Sequence, residues 1–239
     1  MEYKFSIVIP CFNEEATVFE VVYSICSSFT DTLVVVVNDG STDNSKQELT
    51  KLNFNNFKFI DLVNNSGKGF ALRAGLNFVR EISEIVIFTD ADKEVDILDI
   101  QKVQDKYDEK NIEAVFGSRF LELNLNKKIK MGYHRFLANK ILTIFTNIVF
   151  KQNLTDMETA VKSFKTKYIN NFNLESDGFE IEPEIVKELA KNKVKIVEIP
   201  INYSPRSIKE GKKISYKDGF KTIFFILKLI LQTNRKKKI

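Results

Sequence analysis

Hydrophobic and polar positions alternate along the first half of the chain in strand-length and helix-length blocks. Phe5-Ser6-Ile7-Val8-Ile9-Pro10 is an apolar run of strand length, and Glu14 to Ser28 carries helical periodicity. Leu33-Val34-Val35-Val36-Val37 is continuously apolar and mostly β-branched, which suits a central parallel strand buried on both faces. Asn38-Asp39-Gly40-Ser41 is turn chemistry, and Ser41 or Thr42 is placed to cap the next helix. Phe57 to Val63, Glu84 to Phe88 and Glu113 to Gly117 read as further strands, separated by helical patterns over Gly69 to Arg80 and Ile97 to Tyr107. This βαβα order predicts a mainly parallel sheet with helices on both faces.

The second half is less regular. Tyr133 to Phe150 predicts a long apolar helix, Glu158 to Phe164 an edge strand, Glu182 to Lys193 an amphipathic helix and Lys195 to Ile201 a last strand. There is no internal repeat and no low-complexity linker. The expectation is one domain over 1–215 and a C-terminal extension over 216–239. Phe220 to Leu231 predicts an amphipathic helix, followed by the basic run Arg235-Lys236-Lys237-Lys238. An interfacial membrane anchor and a helix packed on the core with a basic tail both fit it.

At 239 residues the chain can build one substantial core. A net charge of +4, with no zinc-finger or RNA-recognition pattern, argues against nucleic acid as a partner. Cys11 and Cys26 have no metal-ligand spacing, and His134 is the single histidine, so reduced structural thiols in a cytosolic protein are expected. The strand pattern begins almost at once, so no signal peptide is expected. No apolar stretch reaches the roughly 18 to 20 residues that span a bilayer.

The chemistry concentrates at strand ends. Asp90-Ala91-Asp92 follows the run Glu84 to Phe88, so two carboxylates face the crevice where open α/β sheets bind ligands. Two hard oxygen ligands there suit Mg²⁺ or Mn²⁺ carrying a diphosphate, although Asp-x-Asp alone also describes a solvated acidic turn. Pro10-Cys11-Phe12-Asn13-Glu14 and Asn38 to Asp43 end the first two strands and converge on the same crevice. Asn65-Ser66-Gly67-Lys68-Gly69 opens a helix, and its glycines, its N-terminus and Lys68 suit an anionic phosphate. Gly-Lys-Gly alone is weak evidence, because the full P-loop spacing is missing, and a plain loop is the simpler reading.

Taken together and in order, these segments resemble the family 2 glycosyltransferases of GT-A fold, in the branch of dolichyl-phosphate mannose and glucose synthases. Further segments that carry the resemblance are Gly117-Ser118-Arg119-Phe120, Thr155-Asp156-Met157-Glu158-Thr159, Phe179 to Glu184, Ile199 to Tyr203 and Arg206 to Lys213. It extends from Ser6 to about Gly219. It implies an α/β, Rossmann-like GT-A sheet flanked by helices. It also implies that Pro10, Phe12, Asn13, Glu14, Asp39, Gly67, Lys68, Asp90 and Ala91 hold a nucleotide sugar. Asp92 would be the main metal ligand, with Asp90 and Glu94 beside it. Arg119, Arg135, Arg206 and Lys212 would face donor or acceptor phosphate, and Asp156 and Glu158 would lie near the sugar or acceptor. Asp92, Arg119, Asp156 and Glu158 are thus the candidate catalytic set.

Four positions depart from the family pattern: Asn38 for Asp, Lys93 for an apolar residue, Ala160 for Gly or Cys, and Ile97 for Pro. Lys93 would oppose a metal unless it points away or pairs with Glu94. The resemblance implies a metal-dependent, inverting transfer of a hexose from GDP or UDP to polyprenyl phosphate, by a protein peripheral on the cytosolic membrane face. A homo-oligomer is left open. Such an acceptor has a second pKa of about 6 and needs no general base. A hydroxyl acceptor would need one, with Asp156 or Glu158 first in line. A soluble transferase acting on hydroxyls and a silent nucleotide-sugar-binding subunit remain the alternatives.

Overall fold

A computed structural model describes residues 1–122, 132–206 and 221–226. Among them are seven strands in one sheet: β1 (Tyr3–Cys11), β2 (Thr32–Asp39), β3 (Phe57–Leu62), β4 (Ser83–Phe88), β5 (Ala114–Ser118), β6 (Lys162–Lys165) and β7 (Ile196–Pro200). The helices are α1 (Val18–Ser28), α2 (Ser45–Thr50), α3 (Lys68–Val79), α4 (Ile97–Lys106), α5 (Tyr133–Phe150) and α6 (Ile181–Lys191), with a 3₁₀ helix over Thr166–Asn171. The strand order is β3-β2-β1-β4-β6-β5-β7.

Alternation along the strands makes two cores. On β1, Phe5, Ile7, Ile9 and Cys11 face α1, α2 and α4, while Val8 faces α3. On β2, Val34 and Val36 join the first side, and Leu33, Val35 and Val37 join the second with α3, α5 and α6. Both faces are covered, which is why β2 tolerates an unbroken apolar run.

β1, β2, β3 and β4 pair in parallel, as the alternating order predicts. The strand expected at the edge is instead interior: β6 runs antiparallel between β4 and β5. Its Lys162 is fully buried, because Glu182 and the Thr159 carbonyl receive the ammonium. The predicted helix from Glu14 begins only at Val18, and α2 begins at Ser45, because the Ser41 and Thr42 groups are engaged with Asn38 and Asn13. Of the predicted terminal helix, 221–226 is helical, and its Thr222 and Ile226 are buried in the α3 side of the core. The rest of that helix, the boundary near Tyr216 and the basic run lie outside the described residues, as does Lys212. No described helix is long and apolar enough to cross a membrane.

Because β2 and β4 lie on opposite sides of β1, the chain reverses direction there. The carboxyl ends of β1, β2 and β4 border a crevice at that switch point.

Candidate functional site

Two loops on one side of the crevice are zipped together by short polar side chains. Asn13, in the left-handed region at φ 51°, donates its N–H to Ser41 Oγ at 2.9 Å, and its Oδ1 accepts from Thr42 N–H at 2.8 Å. The Glu14 N–H donates to Ser45 Oγ at 2.7 Å. Pro10 pairs with Val37 one residue before the end of the β1–β2 register, and Phe12, just past the strand, is half-buried. Asn38 donates to Asp61 Oδ1 at 2.7 Å. An aspartate at position 38 would set two carboxylates against each other, so Asn suits this chain.

Asp39 is buried, and its two oxygens accept from Ser66 N–H at 2.8 Å and Gly67 N–H at 2.7 Å. It therefore holds the loop that starts α3. The glycines of Gly67-Lys68-Gly69 do permit a close approach, but to the protein's own backbone. A Cβ on Gly67 would lie 2.4 Å from the Asp177 carbonyl oxygen, and one on Gly69 would lie 2.2 Å from that of Ser176. The first amides of α3 are occupied as well, since Gly69 N–H donates to the Asp177 carbonyl at 2.7 Å. The phosphate cradle expected of this motif is thus filled from within.

Lys68 lies between two acids, with Nζ 3.0 Å from Asp90 Oδ1 and 3.0 Å from Glu182 Oε1. Burial works against its charge, yet these carboxylates hold its pKa above the ordinary lysine value. Glu182 also receives Lys162. Burial alone would raise Glu182, but the two lysines outweigh it and hold it below the usual range. A relay of alternating charge, half-buried at Asp90 and buried at Glu182 and Lys162, therefore runs Asp90, Lys68, Glu182, Lys162. Sequence reasoning assigned no role to Glu182 or Lys162. The usable signal was a glutamate in the motif from Phe179 to Glu184 and a lysine in a strand.

At the end of β4, Ala91 is buried and its carbonyl accepts from Thr17 Oγ1 at 2.8 Å. Asp92 is nearly buried; burial first, then the neighbouring Asp90 and Glu94 carboxylates, push its pKa up to about 7 against the pull of Arg206. Lys93 takes a left-handed φ of 59° and pairs with Glu20 on α1, so its cation points away from Asp92. Glu94 accepts from Tyr203 OH at 2.8 Å and Arg206 N–H at 2.7 Å. The Arg206 guanidinium donates to Glu14 Oε2 at 2.8 Å and to Asp92 Oδ2 at 2.9 Å.

Across the crevice, Arg119 leaves β5 and grips Asp156 with Nε–Oδ2 and Nη2–Oδ1 distances of 2.6 Å, its guanidinium 5.1 Å from the Tyr203 ring centre. Tyr203 thus touches both halves of the site, a role not assigned from sequence. Glu158 follows Asp156 by two residues. Burial and Glu182 push its pKa up to about 7, against Lys162 and Arg119. Arg135 is half-buried in the first turn of α5.

Among the described residues, no three carboxylate, His or Cys side chains group into a closed metal cage. Asp90 and Asp92 nonetheless fit a divalent cation of the kind that takes one or two carboxylates and completes its shell with substrate phosphates and water. Burial first, and then the Asp90 and Glu94 carboxylates, disfavour the charged form of Asp92, an effect that a cation at this position would oppose. Glu94 is drawn to Tyr203 and Arg206 instead.

Comparison with known proteins gives this architecture a family. The chain is 27% identical over 225 residues to a dolichyl-phosphate beta-glucosyltransferase of Saccharomyces cerevisiae, covering 83% of this chain and 66% of that protein. It is 27% identical over 248 residues to a UDP-N-acetylglucosamine–dolichyl-phosphate N-acetylglucosaminyltransferase of Methanococcus voltae, covering 93% of this chain and 94% of that one. Glucosyl-3-phosphoglycerate synthase from Mycobacterium tuberculosis, solved with Mn²⁺, uridine diphosphate and phosphoglyceric acid, superposes with a TM-score of 0.70 at 16% identity, over 95% of this chain and 78% of that one. The profile described as glycosyl transferase family 2 matches residues 6–172, so the chain belongs to that family and is a glycosyltransferase of GT-A fold.

Proposed function

We propose that the chain moves a hexose from a UDP- or GDP-sugar to a polyprenyl phosphate, with Mg²⁺ or Mn²⁺ held at Asp92 and Asp90. The observation that carries this is the cluster of Asp90 and Asp92 at the switch point, with the Arg206 guanidinium on Asp92 and the Arg119 guanidinium on Asp156. The yeast and archaeal relatives are named for transfer to dolichyl phosphate, and the mycobacterial structure holds Mn²⁺ with UDP, which supports acceptor, donor and cofactor in turn.

The loops of Asn13 and Asp39 border the nucleoside side of the crevice. Asp92 and Asp90 would hold the cation, which would supply Lewis-acid screening of the leaving diphosphate. Arg206 and Arg119 add fixed positive charge where negative charge grows as the bond from C1 to the diphosphate oxygen breaks. A phosphate oxygen of the acceptor forms the new bond to C1 from the opposite face, so the sugar is inverted. That acceptor is largely a dianion near neutral pH, so no side chain needs to take a proton.

Thermal shift with GDP- and UDP-sugars, with and without Mn²⁺, tests the assignment. One nucleotide class raises the melting temperature of the wild type only with Mn²⁺ present. Asp92→Asn abolishes that shift and lowers transfer to a short-chain polyprenyl phosphate by about a hundredfold or more. An Asp92→Asn variant with an undiminished Mn²⁺-dependent shift would sink the site. A second reading, transfer to a hydroxyl, draws on Glu158, whose raised pKa suits a general base. Turnover on a soluble sugar acceptor that disappears in Glu158→Gln would favour it.

A further inference from the structure

β7 is an edge strand, and the plain reading of a glutamate within Ile196-Val197-Glu198-Ile199-Pro200 is a charge that discourages pairing with another sheet. Its place in the fold says otherwise. Ile196 packs on the α3, α5 and α6 side of the sheet and Ile199 on the α1 and α4 side, so alternation turns Glu198 toward α5. There it is half-buried, and both carboxylate oxygens are taken. Oε2 accepts from Thr155 N–H at 2.7 Å, and Oε1 from Asp156 N–H at 3.1 Å. Burial lifts its pKa above the ordinary glutamate value, while the two amides favour the charged form that accepts from them. The segment is held on either side by α5. Asn147 bonds the N–H and carbonyl of Leu154 at 2.9 and 2.8 Å, and Thr143 Oγ1 accepts from Met157 N–H at 3.1 Å. Glu198 receives the two amides between them.

Asp156 is the residue that aims Arg119. It is fully buried; Oδ2 accepts from Arg119 N–H at 3.0 Å and from Nε at 2.6 Å, and Oδ1 from Nη2 at 2.6 Å. The guanidinium so held lies 5.4 Å from the centre of the Phe120 ring and 5.1 Å from that of Tyr203. Two strands thus grip one aspartate, β7 by its amide and the end of β5 by its carboxylate. We propose that Glu198 is a positioning residue, which fixes the backbone at Asp156 from the edge strand and through Asp156 sets the orientation of the Arg119 guanidinium. A carboxylate suits this task and an amide does not. Two N–H donors need two acceptor atoms, whereas a glutamine offers one oxygen and turns its NH₂ on the other donor. That Arg119 serves an acceptor phosphate rests on the lipid-phosphate reading above; the positioning itself does not.

The test has two readouts on the full chain. One is the Nε–Hε cross-peak of Arg119 in the nitrogen–proton spectrum, identified by its loss in Arg119→Lys. The other is KM for a short-chain polyprenyl phosphate, taken beside kcat. In Glu198→Gln the cross-peak shifts and its proton exchanges faster with solvent. KM for the acceptor rises about tenfold, kcat at saturating acceptor changes little, and the Mn²⁺–nucleotide thermal shift stays as in the wild type. Glu198→Asp draws the carboxylate back by one methylene and gives the same changes in smaller measure, which keeps the test open if the glutamine variant does not fold. Thr143→Val loosens the same segment at Met157; it lowers the melting temperature but leaves the cross-peak and KM alone. In an Asp156→Asn background, Glu198→Gln adds no further rise in KM, because the two act in series. Three results overturn the proposal: an unmoved cross-peak in both Glu198 variants, an equal rise of KM in Thr143→Val, or effects of Glu198→Gln and Asp156→Asn that simply add. A moved cross-peak together with a wild type that never turns over polyprenyl phosphate would instead sink the acceptor assignment and leave the positioning standing.

Discussion

Glu158 keeps one carboxylate oxygen, Oε1, buried and without a hydrogen-bond partner among the described residues. Burial and Glu182 raise its pKa from 4.5 to about 7, while Lys162 and Arg119 pull the other way. The raised value means that the folded state binds a proton which the unfolded chain has lost between those pH values. The favourable, protonated state is fully present below 4.5, and its contribution disappears as pH rises through 7. At 1.36 kcal/mol per unit this is at most about 3 kcal/mol. Glu158→Gln removes the titration, so the variant gains on the wild type between pH 5 and pH 8. Urea denaturation of both proteins at the two pH values measures it, and a stability difference that does not change with pH would show that Glu158 titrates normally. The orphaned oxygen was invisible in sequence, because Glu182 and Lys162, which set its environment, lie in other elements.

At the scale of elements, the alternation that predicts β1 to β5 is legible because each strand is a short apolar block and each helix a periodic one. β6 was misread because Lys-Ser-Phe-Lys looks like an edge; nothing local says that Glu182, twenty residues on, neutralises Lys162. The close approach at Gly67-Lys68-Gly69 is hidden from the sequence for the same physical reason, since its partner is a backbone more than a hundred residues away. That partner is itself fixed: Glu184 Oε2 accepts from Ser176 N–H at 2.9 Å, and Arg73 Nη2 donates to Asp177 Oδ1 at 2.6 Å. Neither side can yield easily. Gly69→Ala, with its Cβ 2.2 Å from the Ser176 carbonyl oxygen, costs about 1–3 kcal/mol of stability. It also shifts Lys68 against Asp90 and so weakens donor binding. Denaturant unfolding and donor titration by calorimetry read both effects; a variant with wild-type stability would refute the packing argument.

Across the whole molecule, the loops at the crevice are tied together by a segment that comes from the far end of the sheet. β7 lies beyond β5, yet the chain leaving it runs back over the crevice. Asn202 N–H donates to Asp99 Oδ2 at 2.6 Å, Ser204 N–H to the Glu94 carbonyl at 2.9 Å, and Arg206 reaches Glu14 beside β1. One guanidinium thus balances carboxylates from two loops, Glu14 from the first and Asp92 and Glu94 from the other. Burial opposes the charge on Arg206, and these acids hold its pKa above the ordinary arginine value. Arg206 therefore contributes to neutralising these acids when no divalent cation is bound. Removing one partner of a buried charge cluster costs 3–5 kcal/mol; with the Arg206 side chain 15% exposed, Arg206→Ala should cost about 1–3 kcal/mol. The cluster left behind is more anionic, so Mn²⁺ alone must stabilise the variant more than the wild type, by the linkage between binding and folding. Melting curves of both proteins over a Mn²⁺ titration decide it. A larger shift in Arg206→Ala identifies the arginine as the counterion that the metal replaces. An equal or smaller shift would mean that Arg206 and the cation do not compete for Asp92, and that the segment ties the loops together without balancing their charge.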